Sequence, residues 1–263
     1  MIREPDGVTF ITAANLDRAG VQHGFVGRRG GISEGAFASL NLGRFTADRP
    51  GSVAENELRF GRAFGIKTLI RVRQVHGREV LVVDRAAQDE KSWPPIERDA
   101  IITNQPGVAL AVLTADCVPI VLYDPARRVA GIAHAGWRGT CLKTAAATVE
   151  AMAQRFGSRP REILAGIGPG IGPCCYPVDA PVIRAAEQAF GADTAKVICR
   201  GDDRAPVFDL PAANRLVLEQ AGLAPGNIES ADLCTSCRAD LFFSHRRDRG
   251  RTGRQINFVM ISP

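Results

Sequence analysis

No apolar run in this chain approaches the roughly 20 residues that a membrane-spanning helix needs; the longest, from Gly107 onward, is broken at Thr114 and Asp116. A membrane partner is thereby excluded. The opening residues Met1-Ile-Arg-Glu-Pro-Asp6 carry charge where a secretory leader is apolar, so a cytoplasmic protein is expected. No linker-like tract, internal repeat or low-complexity segment divides residues 1–263, and one domain is expected across them. Aromatic residues make up only 6%, and they are not interleaved with the scattered arginines. The net charge of +5 is therefore not read as a nucleic-acid footprint, since small anionic substrates account for it equally well. The cysteines number seven, an odd count with irregular spacing, which argues for reduced thiols rather than a disulfide framework.

What is present reads as mixed α and β. Thr68–Val75 and Glu79–Val83 are predicted strands on either side of a turn at His76-Gly77-Arg78. Gly107–Leu113 and Val118–Tyr123 are apolar enough for buried strands, with Thr114–Cys117 as the loop between them. Val129–Ala133 reads as a further strand, after which His134 begins a glycine-rich turn. Leu142, Ala145, Val149, Met152 and Phe156 recur at steps of three and four and predict one helix from Thr140 to Phe156, closed by Gly157. Ile163–Ile167 and Ile256–Ile261 are predicted strands. Pro181–Phe190 and Pro211–Ala221 are predicted helices, the second capped by Asp209. His23 is assigned to a turn.

His76, Cys117 and His134 all fall at strand ends or in strand-connecting loops, where distant side chains converge at one edge of a sheet. Two imidazoles and one thiolate match a zinc site that keeps its fourth position open, the arrangement of a catalytic metal. The same residues read equally well as a turn histidine, a buried cysteine and a capping histidine. Asp99 and Asp116 are the carboxylates best placed for proton transfer. Arg28 and Arg29 beside Gly30-Gly31 offer a guanidinium and backbone amides to an anion. The Gly166–Pro173 loop lacks the Gly-Lys-Ser/Thr ending of a phosphate-binding loop and reads as a rigid wall. Cys234-Thr-Ser-Cys237 has the spacing of half a zinc site or of a redox pair, without a well-placed second pair; Cys174-Cys175 are adjacent, and Cys141 and Cys199 read as packing residues.

Four segments then point one way: Gln74-Val-His76-Gly77, Leu113-Thr-Ala-Asp-Cys117-Val-Pro119, His134-Ala-Gly-Trp137-Arg138-Gly139 and Gly168-Pro169 with Cys175-Tyr176. With His23-Gly24-Phe25, Arg28 to Ser33, Ser39-Leu-Asn41-Leu-Gly43, and Arg246-Arg247-Asp248 followed by Thr252-Gly253-Arg254, the chain resembles bacterial laccase-domain proteins. Those proteins were once described as polyphenol oxidases and are now described as multifunctional purine nucleoside phosphorylases. The resemblance implies a single α+β domain of layered mixed sheets flanked by helices, similar to some cysteine hydrolases. It implies Zn2+ on His76, Cys117 and His134. It also implies phosphorolysis of adenosine, inosine, guanosine and methylthioadenosine with phosphate, plus deamination of adenosine. Expected roles follow: Asp99 relays a proton, Arg28 and Arg138 receive phosphate, and Asn41 bonds sugar or base. His245 departs from the tyrosine found in many relatives.

Two rival chemistries use the same residues. In a cysteine hydrolase or amidase acting on peptidoglycan precursors, Cys117 would be the nucleophile and a histidine its base. Two histidines and a cysteine also describe a blue-copper centre. A multicopper oxidase needs many more imidazoles for its cluster than the four this chain has, which leaves copper as an adventitious occupant in vitro.

Overall fold

A strand buried on both faces needs apolar residues at nearly every position, whereas a strand with one wet face alternates. The uninterrupted Val118–Asp124 and Val129–Ala135 segments are of the first kind, and every residue in both is buried. The computed structural model describes residues 2–84, 96–201 and 204–262. Its strands are β1 (Ile2–Arg3), β2 (Phe10–Ile11), β3 (Val21–Val26), β4 (Thr68–Arg71), β5 (Val80–Val83), β6 (Ala100–Thr103), β7 (Val108–Thr114), β8 (Val118–Asp124), β9 (Val129–Ala135), β10 (Leu164–Ile167), β11 (Ile198–Gly201), β12 (Arg204–Phe208), β13 (Ile228–Ser230) and β14 (Gln255–Ile261). Its α-helices are α1 (Ala14–Arg18), α2 (Pro50–Phe64), α3 (Trp137–Cys141), α4 (Thr144–Phe156), α5 (Ala180–Phe190) and α6 (Leu210–Gln220).

Two six-stranded mixed sheets result, in the orders β1-β2-β3-β14-β7-β4 and β13-β10-β8-β9-β6-β5, with β11 and β12 as a separate ribbon. The period-two geometry of a strand sends alternate residues to opposite faces. Val121 and Tyr123 of β8 and Ala130 and Ile132 of β9 therefore meet Leu110 and Val112 of β7 and Val259 and Ile261 of β14 between the sheets. Ile120 and Leu122 of β8 and Ala133 of β9 face the other way, onto Val149 and Met152 of α4, Ala186 of α5 and Val217 of α6. On the outer face of the first sheet, Ala111, Ile256 and Phe258 pack under Phe60 and Phe64 of α2. Each such large side chain, fully buried, contributes roughly 1.5–3 kcal/mol. The order of layers is helix, sheet, sheet, helices, the single α+β domain expected of the sequence. Among the described residues no helix is long and apolar enough to cross a membrane.

Three expectations need correction. The strand predicted to reach Val75 ends at Arg71, and the His76 turn is a crossing between sheets, since β4 lies beside β7 in the first sheet and β5 beside β6 in the second. The predicted helix from Thr140 is two helices, because Lys143 takes a left-handed conformation with φ 62°. Leu142 is left 46% exposed, off the buried face to which its spacing assigned it. The break serves the turn, since the Thr144 hydroxyl then lies 2.7 Å from the Gly77 carbonyl and 2.9 Å from that of Gly139.

His23 is the third correction. It sits buried inside β3, with its Nε2 accepting from the Ala13 amide at 2.9 Å and its Nδ1 facing the Val21 carbonyl. Burial holds this imidazole below its ordinary pKa. The unfolded chain then takes up a proton near pH 6.5 while the folded chain resists it, so this contribution to stability is whole above that pH and fades as pH falls below it. The loss has a limiting slope of about 1.4 kcal/mol per pH unit. In urea unfolding at about pH 7.5 and 5.5, wild type should lose more stability on acidification than His23→Gln. Equal losses would show that His23 is not the group responsible.

Candidate metal centre

The centre is built from three crossings and ends. His76 takes a left-handed conformation, φ 61°, in the segment leading from β4 to β5. That turn points the amides of Val75, His76 and Gly77 at the Asp99 carboxylate, at 3.2, 3.0 and 2.6 Å. Asp99, fully buried just before β6, also accepts from His134 Nδ1 at 2.8 Å, and its carbonyl takes the His134 amide at 2.7 Å. One carboxylate thus sets both histidines: the first through its backbone, the second through its ring. His134 is the penultimate residue of β9, one step further inside the strand than its sequence context suggests.

Cys117 arrives from the loop that carries the chain out of the first sheet at the end of β7 and into the second at β8. Asp116 makes that bend with φ 91°. Its carboxylate is fully committed to the loop, accepting from the Thr235 hydroxyl and the Arg246 amide, both at 2.7 Å. Asp116 is therefore a brace for Cys117.

The ligand atoms of His76, Cys117 and His134 lie within 4.8 Å of one another and could hold one metal ion. The two rings meet edge to face at 4.9 Å between centroids. With Nδ1 of His134 donating to Asp99, its Nε2 is the nitrogen left for a ligand, the arrangement that a carboxylate imposes on metal-binding histidines. Gly136 keeps the space open: a Cβ there would stand 2.7 Å from Cys117 Sγ and 3.3 Å from His76 Cδ2. The charges agree with the geometry. Burial opposes ionisation of Cys117, yet the positive His134 and hydrogen bonds from both imidazoles bring its pKa down to about 6. Burial likewise opposes a charged His134, but Cys117 and Asp99 push it up to about 9. A thiolate and two nitrogen donors at one point suit a divalent ion of intermediate softness.

The residues expected to contact substrate are disposed differently. Asn41 is fully buried, with its amide donating to Thr46 Oγ1 and Asp48 Oδ2 and its carbonyl oxygen accepting from the amides of Gly43 and Arg254. Every polar atom is occupied, so the expected contact with sugar or base gives way to an internal scaffold. Arg28 donates to the carbonyls of Ala38 and Ala239 and stacks on Phe243. Arg138 is exposed, with its guanidinium over the Trp137 ring at 4.3 Å. Among the described residues, no hydrogen bond or ion pair joins Arg28 or Arg138 to the triad. His245 is exposed in the turn closed by Gly250.

Two nearby groups escaped the reading of single residues. Arg254 is half-buried, and burial lowers its pKa against the opposing charges of Cys117 and Asp116. Tyr176 is raised to about 12, by burial first and then by the Cys117 charge. Both belong to quoted motifs, Thr252-Gly253-Arg254 and Cys175-Tyr176, which were the available signal.

Fold and site together define a layered α+β protein with a metal-competent His-Cys-His centre. The family described as multi-copper polyphenol oxidoreductase laccase matches residues 22–262, and the chain belongs to that family of enzymes. It is 38% identical to the human protein named purine nucleoside phosphorylase LACC1 across 97% of its own length, and spans 58% of that protein. It is 41% identical to a purine nucleoside phosphorylase of Deinococcus radiodurans, covering 94% of this chain and 91% of the relative. The crystal structure of YlmD from Geobacillus stearothermophilus superposes with a TM-score of 0.90 at 35% identity, covering 99% of this chain and 98% of that one.

Proposed function

We propose that residues 1–263 form one purine nucleoside phosphorylase domain that holds zinc on His76, Cys117 and His134. The observation that carries this reading is the convergence of one thiolate and two imidazoles, with His134 Nδ1 fixed by the buried Asp99. The names of relatives at 38% and 41% identity supply the substrate class. The substrates proposed are adenosine, inosine, guanosine and methylthioadenosine, each cleaved with phosphate to the free base and sugar 1-phosphate. Deamination of adenosine is a second proposed activity. A bound zinc ion would supply a Lewis acid beside the substrate and lower the pKa of water there.

The chain's own residues do the rest. Asp99 works as a positioning residue rather than a proton relay to substrate, because its oxygens face three amides and the far side of the His134 ring. In phosphorolysis an oxygen of phosphate bonds to C1′ as the bond from C1′ to the base breaks, and the electron pair leaves with the purine. Cations that gather phosphate and offset the departing charge lower that barrier. Arg138 fits the task, being exposed and, among the described residues, held only by its Trp137 platform, while Arg28 is assigned to bracing by its two carbonyl partners. Zinc is preferred over a copper cluster because His23 is consumed inside β3 and His245 lies in an exposed turn, leaving two imidazoles for metal. Seven free cysteines support a reducing, cytoplasmic setting.

Inosine incubated with the pure protein should release hypoxanthine and ribose 1-phosphate only when phosphate is present. Adenosine should yield inosine with or without phosphate. Hypoxanthine formed equally without phosphate, or no base at all, would overturn the proposal.

One observation favours a second reading. Asp99, His134 and Cys117 stand in the order of a nucleophilic triad, with the thiol already acidic at about 6. In an amidase acting on peptidoglycan precursors, Cys117 would attack a carbonyl carbon and His134 would pass the proton to the leaving amine. Rapid stoichiometric alkylation of Cys117 in a metal-free, amidase-active protein would favour it.

A further inference from the structure

Outside the candidate centre, four more thiols come together. β10 and β13 run parallel as neighbours, and each is followed by a cysteine pair: Cys174-Cys175 after the first, Cys234 and Cys237 after the second. The parallel course continues past the strands, where Gly170 bridges to Cys234 and the Thr235 amide donates to the Gly170 carbonyl at 2.9 Å. The second pair that the spacing of Cys234 and Cys237 lacked in sequence is thus the adjacent pair about sixty residues earlier, where one strand-to-strand step closes the gap. All four sulfur atoms lie within 4.8 Å of one another, with Cys237 at 3.5 Å from Cys174 and 3.4 Å from Cys175.

We propose that Cys174, Cys175, Cys234 and Cys237 form a second, structural metal site that takes one zinc ion. Four thiolates at zinc bond lengths of about 2.3 Å form a tetrahedron with edges of about 3.8 Å, the scale of the observed separations. The surroundings are shaped for sulfur. The Gly172 amide donates to Cys234 Sγ at 3.3 Å, and a Cβ on Gly172 would stand 3.3 Å from Cys234 Cβ and 3.5 Å from Cys174 Sγ. Arg247, paired with Asp248, places Nη1 on the carbonyls of Thr235 and Ser236, at 2.9 and 3.3 Å, fixing the loop between the two cysteines.

Protonation behaviour fits the same account. Burial opposes the Cys234 thiolate, but the amides of Gly172, Cys237 and Ser236 bring that thiol below its ordinary pKa. Cys174 is pushed up, by burial first and then by neighbouring thiols, and Cys237 is pushed up by its bond with Cys175. Four crowded thiols sharing protons have no counter-charge of their own; a divalent ion supplies one and displaces the protons to water. Four protein ligands close the coordination shell, so the site is structural. It braces the neighbouring centre: Thr235 between the paired cysteines bonds Asp116 through its hydroxyl, and the Ile171 amide holds the Asp116 carbonyl at 2.8 Å, both next to Cys117.

The test is metal counting on the full chain, separating the two sites. Wild type purified without added chelator should carry two zinc equivalents, Cys117→Ala one, and Cys234→Ser with Cys237→Ser one. Cobalt loaded into Cys117→Ala should show the near-ultraviolet thiolate charge-transfer band and visible bands of a tetrahedral thiolate site. Its protected thiols should react with a thiol dye only after a chelator is added. A Cys117→Ala protein without zinc and without cobalt bands would overturn the site, as would thiols released by a reductant rather than a chelator. These readouts do not involve nucleoside turnover, so they fail or succeed apart from the proposed activity.

Discussion

Cys117→Ala is expected to lower kcat/KM for inosine phosphorolysis by about a thousandfold or more, the scale of losing a group that stabilises developing charge. It should also release the ion held with His76 and His134. The argument rests on what the sulfur alone provides. Cys117 is the single anionic donor of the three, and without it an ion would keep only two neutral imidazoles, one of them held by Asp99. Cys117→Ser should behave like the alanine variant, because a hydroxyl keeps the shape but stays protonated where the thiol ionises. The fold should survive, since Cys117 is only half-buried and the loop is held independently by Asp116. Zinc at this site is read by chelator competition. A variant that keeps its ion while losing all turnover would shift the assignment to the nucleophilic reading; one that keeps phosphorolysis without metal would remove the metal from the reaction.

Asp99→Asn carries the second large effect, and it acts on stability and metal affinity together. The carboxylate accepts three amides and one imidazole N–H, and an amide side chain can replace only one of its two oxygens as an acceptor. At least one buried donor then faces another. Breaking a buried charged network of this kind costs about 3–5 kcal/mol. For a domain of this size that corresponds to a fall in Tm on the order of 10 °C. Removing the carboxylate partner of a metal-binding histidine weakens the metal by about 10–100-fold. Calorimetry reads the first loss, and a zinc dissociation constant from a competing chelator reads the second. A lower Tm with unchanged zinc affinity would reduce Asp99 to a structural residue with no hold over His134 as a ligand.

The parts of the molecule legible in sequence are those governed by short-range physics. β8 and β9 emerge within a residue or two because continuous apolar runs bounded by Asp124-Pro125 and Gly136 leave few alternatives. Asp209 caps α6 by accepting the Ala212 amide, as its position before Pro211 indicates. The His-Cys-His triad is legible as three candidates, although their convergence depends on sheet order. What long-range pairing decides stays hidden. Nothing local distinguishes a turn joining paired strands from the His76 crossing between sheets, and nothing near Cys234 shows that Cys174 lies beside it. Asn41 marks another limit: a polar side chain inside a motif reads as a ligand contact until its four partners are seen. His134 lies within β9 because Pro119 and Val118 continue the pairing opposite His134 and Ala135, one register step beyond the apolar run.

Two of the three donors, His76 and Cys117, ride on passages from one sheet to the other, while His134 belongs wholly to the second. An ion held there would act as a rivet across the sandwich. All three donors could hold it only once both halves have docked, which is a non-local assembly. Zinc availability would then govern how long the finished molecule lasts rather than whether it forms, with holo protein outliving apo protein under proteolysis.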